Sequence, residues 1–222
     1  MGLRCSEFPG RYERHLLRKR NNPLFPEAER TPTPEQLESA QKLDHEEIVA
    51  FIPRFRELVL RAATLQANEG SEVILALKQE LDRCYEECCG LADEQQETKQ
   101  AIRRLLAPIM AAVRKGAQDD PLALAELEQE EAARSAHFAL CEQQLVADLL
   151  SPDSPIQPAE LAATLLSASA EEVAAVVEIL ARDQLTELCR QGSQLLADCG
   201  AATPHTATER LQQLTAALQR LI

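Results

Sequence analysis

The chain has 222 residues, of which 45% are apolar and 3% aromatic, with no Trp and only 7 Gly. Ala, Leu, Glu and Gln are strong helix formers, and the side chains that sheets favour are scarce, so the composition predicts an all-α fold. The length suits one elongated domain, or a main domain with a smaller one appended, and a net charge of −13 disfavours nucleic acid or an anionic membrane as partner of the main body.

Residues 1–33 form a basic, Pro-punctuated N-terminal arm. Residues 1–30 hold seven basic and four acidic side chains, a balance of +3 that leaves −16 for the rest of the chain. Tyr12 to Arg20 can make a short basic helix, limited by Pro9, Pro23, Pro26, Pro32 and Pro34. The plain expectation is a flexible arm lying on the acidic body. The functional one is a docking segment for a protein partner, with Leu16, Leu17, Leu24 and Phe25 as anchors and Arg14, Arg18, Lys19 and Arg20 as steering charge. No apolar run follows the N-terminal charges as a signal peptide requires, and no stretch approaches the roughly 18 apolar residues of a membrane span. With seven Cys at spacings unlike a disulfide framework, the simplest compartment is the cytoplasm.

Residues 34–150 are predicted to form an elongated, antiparallel, coiled-coil-like three-helix bundle. Thr33, Pro34 and Gln36 make a helix start, and the first helix runs to about residue 66 on a seam of Ile48, Phe51, Phe55, Leu58, Ala62 and Leu65. Pro53 predicts a kink or break within it. The second helix is predicted over 72–115. Its seam is Ile74, Leu77, Leu81, Cys84, Cys88 and Leu91, then Ile102, Leu105, Ile109 and Ala112. Gly90 and the polar run 93–100 interrupt the seam without shifting its phase, which favours one continuous helix. The third helix spans 121–150, with Asp120 as cap. Arg54 and Arg61 hold the flanking position that Glu80 and Glu87 hold on the second helix, so these four residues are expected to set the inter-helix register.

Residues 151–158 are a Pro-rich linker, and 159–222 a smaller C-terminal helical subdomain of short helices, with a capping box at Ser169 and Glu172. The segment 158–181 has the outline of a helix-turn-helix, but Glu171, Glu172 and Glu178 would face the phosphates.

The chain carries no Gly-rich phosphate loop, nucleophile elbow or zinc-protease pair. None of His15, His45, His137 and His205 has a Glu three residues earlier, as di-metal bundles require. Cys84 and Cys88, one turn apart, with Cys141 on the third helix, are the candidate thiolate ligands for a metal; small apolar filler is the plain alternative. The sequence therefore favours a non-enzymatic helical interaction or scaffold protein that binds a protein partner or a second copy of itself. A metal- or cofactor-binding bundle built on Cys84, Cys88 and Cys141 is the alternative, and contact of the basic arm with nucleic acid or lipid a further one.

Overall fold

The structure, a computed structural model, describes residues 9–64, 71–91, 96–199 and 204–221. Among them the fold is all-helical, with no strand. The helices are α1 (Arg11–Arg20), α2 (Glu27–Arg30), α3 (Pro34–Thr64), α4 (Ser71–Gly90), α5 (Gln96–Ala117), α6 (Pro121–Cys141), α7 (Gln144–Leu150), α8 (Pro158–Ser167), α9 (Ala170–Val177), α10 (Arg182–Cys199) and α11 (His205–Arg220). No helix among the described residues is long and apolar enough to cross a membrane.

Several boundaries carry their cause in the local sequence. At the start of α3, Thr33 Oγ1 accepts from the Gln36 amide at 3.2 Å, and Gln36 Oε1 accepts from the Thr33 amide at 2.8 Å. Ser169 and Glu172 make the same reciprocal pair at α9. Asp120 accepts from the Leu122 and Ala123 amides ahead of α6. Each such cap satisfies amides that the first helical turn leaves without a partner.

The chain divides into two compact units, in both of which α3 and α7 take part. One comprises Pro9 and Gly10 with the described residues of 43–147. Within it α4 packs on α5, and both pack on α6. Its core holds Phe51, Leu58, Leu77, Leu81, Tyr85, Ile102, Leu106, Ile109 and Phe138.

Two helices expected to be continuous are divided. The predicted helix over 72–115 is α4 and α5, folded back on each other. Arg103 Nη2 donates to the Tyr85 hydroxyl at 2.6 Å, whereas eighteen residues of straight helix would hold them about 27 Å apart at about 1.5 Å per residue. The unshifted heptad phase misled because a seam of the same spacing serves equally well on two helices packed face to face; part of the interrupting run, 92–95, lies outside the described residues. The predicted helix over 121–150 ends at Cys141. There the Glu142 amide turns back to the Phe138 carbonyl at 3.2 Å and the Gln143 amide to Leu140 at 2.9 Å, before α7 begins. No Gly or Pro marks that turn. Pro53, by contrast, causes no break: α3 runs through it.

The other unit comprises 11–42 and the described residues of 148–221. Here α8 packs on α10 and α11, α11 on α9, and α1 on α2. A Cβ added at Gly192 on α10 would sit 3.1 Å from Leu211 Cδ1 of α11, so glycine permits that close approach. Leu24 and Phe25 lie in one buried cluster with Ala163, Leu166 and Ala207, flanked by Leu195, Leu196, Cys199 and Leu211. The segment that the sequence set apart as an arm thus supplies core to the C-terminal helices from residue 11 onward.

Candidate functional site

The residues expected to dock a partner are engaged within their own unit. Asp148 is 0% exposed. It accepts from Arg14 Nη2 at 2.5 Å and Arg18 Nη2 at 2.6 Å. Lys19 pairs with Glu160 and lies 5.5 Å above the centre of the Phe25 ring. Asn22 pins the turn after α1: its Nδ2 donates to the Ala163 carbonyl, and its Oδ1 accepts from the Leu24 amide and the Ser167 hydroxyl, all at 2.9 Å. Leu17 is half-buried, and Arg20 is exposed. The steering charges at 14, 18 and 19 are largely spent on two carboxylates of the same chain. A buried carboxylate requires such partners, because an unpaired charge removed from water is costly.

Arg54 meets Glu87 (Nη2–Oε2 2.5 Å), and Arg61 meets Glu80 (Nη1–Oε2 2.5 Å). The partner number falls on α4 as it rises on α3, so the two helices run antiparallel along this stretch. Both pairs are well exposed, and their worth lies in register rather than in stability.

The candidate metal ligands Cys84, Cys88 and Cys141 are all buried, with Cys89 beside them. Among the described residues no group of three His, Cys, Asp or Glu side chains is placed to hold a metal ion. Burial pushes the thiols of Cys84, Cys88 and Cys141 up to about 12, and that of Cys89 up to about 11. A thiol attacks as a nucleophile only once it loses its proton, and burial here favours the protonated, apolar form, in which Cys fills a core as a small apolar group. Cys141 Sγ lies 3.5 Å from His137 Nε2, which itself lies 2.7 Å from Glu86 Oε1 at the edge of the cluster.

The feature that sequence reasoning missed is a groove of about 610 Å³ between α5 and α6. Leu106, Met110 and Phe138 are buried along it, and the small exposed side chains of Ala107, Ala111 and Ser135 leave it open. At the end lined by Arg103 and Phe138, the groove is backed by Tyr85. The Tyr85 ring stacks on Phe138 with centroids 3.9 Å apart, and the Tyr85 hydroxyl donates to Glu142 Oε1 at 2.7 Å. Arg103 lies 5.2 Å from the centre of the Tyr85 ring and donates to both the hydroxyl and Glu142. Burial, together with the hydrogen bond that the hydroxyl donates to the Glu142 carboxylate, holds the Tyr85 phenol well above its ordinary range. Arg103, Arg114 and Arg134 rim the groove. Arg114 pairs with Glu131, whereas Arg134 Nη1 donates to the thioether of Met110 at 3.0 Å. Among the described residues no carboxylate pairs with Arg134.

A signal for the groove was present in α5. Beside the seam residues Ile102, Leu105 and Ile109, that helix carries Leu106 and Met110 one position on, which gives an apolar face wider than a single seam needs. Its five basic residues oppose one acidic residue, in a chain of net −13.

No known protein family, curated protein or solved structure matches the chain.

Proposed function

We propose that this chain is a non-enzymatic helical interaction protein, an adaptor or scaffold of the cytoplasm. In this reading the helices of 43–147 act as an antiparallel, coiled-coil-like bundle that presents its α5–α6 groove to a protein partner. The observation that carries it is the groove itself: an open apolar trough flanked by arginines on an otherwise acidic chain. Binding surfaces commonly combine a buried apolar floor with a few oriented charges, and helical proteins use such troughs to receive a helix. The core thiols and the internally paired N-terminal charges lend less support to a metal carrier or to nucleic-acid contact through the N-terminus. The test is site-specific photocrosslinking in the native host, with the crosslinking residue at Ala111 and, as control, at Glu128. A discrete adduct formed from position 111 and absent from position 128 is expected. A full chain that yields no adduct from either position, nor from sites spread over its other helices, overturns the reading.

A further inference from the structure

We infer that the α5–α6 groove receives an acidic amphipathic helix from another protein, seated on Leu106, Met110 and Phe138 and held at its flanks by Arg103, Arg114 and Arg134. This rests on the interaction reading above and adds the site and the chemistry of its occupant. The lining residues on α5 recur as 103, 106, 107, 110, 111 and 114, and those on α6 as 131, 134, 135 and 138. Both sets follow the spacing of one helix face, so the trough runs along the helices. From Arg103 to Arg114 it extends about 16 Å at about 1.5 Å per residue, which matches three turns of a docked helix. Ala107 and Ala111 are exposed and small. An incoming backbone can therefore come close to α5, as interfaces of larger side chains do not allow.

Charge selects the kind of helix. The rim holds three guanidiniums and one carboxylate, Glu131, which pairs with Arg114. Arg134 spends a donor on a thioether, a weak acceptor, and a planar guanidinium suits a carboxylate far better. A helix with apolar side chains at i, i+4, i+7 and i+11, flanked by Glu or Asp, answers both features. The same rim repels a basic helix, so the arginines discriminate as well as attract.

The test uses the full chain and two fluorescein-labelled synthetic helical peptides. Both carry Leu at those four positions, with Glu flanks in one and Lys flanks in the other, and binding is read by fluorescence anisotropy. The Glu peptide is expected to bind saturably and to weaken as salt is raised, and the Lys peptide to bind at least about tenfold more weakly, a difference of about 1.4 kcal/mol. Arg134→Glu and Ala111→Trp each reduce affinity for the Glu peptide about tenfold or more. Arg134→Gln gives an intermediate loss, and circular dichroism verifies the fold of all three variants. Equal binding of the two peptides, no binding of either, or folded variants that bind the Glu peptide unchanged overturns the proposal. Dimerisation of the unliganded chain in light scattering, abolished by Ala111→Trp, overturns it in favour of a second copy as occupant. A native partner that crosslinks to another face, with the peptides inactive, removes the groove assignment while the interaction reading stands.

Discussion

Replacing Phe25 by Ala separates a docking anchor from a core residue. The residue is 5% exposed and packs with Leu24, Ala163, Leu166 and Ala207. An aromatic side chain buries about 200 Å², which at about 25 cal/mol per Å² amounts to about 5 kcal/mol, an upper figure because unfolded chains already hide some surface. Alanine retains one methyl group, worth about 0.8 kcal/mol, so the expected loss is about 4 kcal/mol, within the range of about 3–5 found for Phe→Ala in packed cores. Urea unfolding of the full chain followed by far-ultraviolet circular dichroism is the assay. With a slope of about 2 kcal/mol per molar, the transition of the unit that contains residue 25 should move down by about 2 M. Arg20→Ala, at an exposed position of α1, should leave that transition within about 0.5 kcal/mol. A Phe25→Ala midpoint as little changed as the Arg20→Ala one would refute the reasoning and return this segment to the status of a loose arm.

Three further outcomes are expected. Asp148→Ala strips the shared acceptor from Arg14 and Arg18, and urea unfolding should register a loss of about 3–5 kcal/mol, with a value under about 1 refuting the buried triad. Burial raises the thiols of Cys84, Cys88 and Cys141 from 9.0 to about 12; a raised acid favours the folded state while it keeps its proton, so this stability is complete below about pH 9 and is lost as pH climbs toward 12. Thiolate absorbance near 240 nm in the folded protein should thus appear for these residues well above pH 9, and at pH 8 disulfide reagents should modify the half-buried Cys189 and Cys199 ahead of them; early modification at position 88 contradicts the assignment. Glu87→Arg should cost less than about 1 kcal/mol, and adding Arg54→Glu should restore it; a double variant less stable than the single one would refute the pairing as a register contact.

Local chemistry accounts for what the sequence determined unaided. Helix content follows from propensity, which acts residue by residue. The starts at Thr33, Asp120 and Ser169 follow from short side chains that bond amides two or three positions on, a spacing visible in one dimension. That Arg54 and Arg61 share a flanking position with Glu80 and Glu87 also follows from helical periodicity, while the particular pairs, Arg54 with Glu87 and Arg61 with Glu80, are set by the tertiary structure. Tertiary structure decided the rest. Whether the seam through Leu77, Leu81, Ile102 and Ile109 belongs to one helix or two depends on whether residues so spaced cover each other or a third element, and periodicity is the same in both cases. Arg14, Arg18 and Phe25 read as exposed because Asp148, Ala163 and Ala207, which bury them, lie more than a hundred residues away along the chain. The α5–α6 groove arises only where the wide apolar face of α5 meets small side chains on its own exposed edge and on α6, and a void between two helices is a property of neither helix alone.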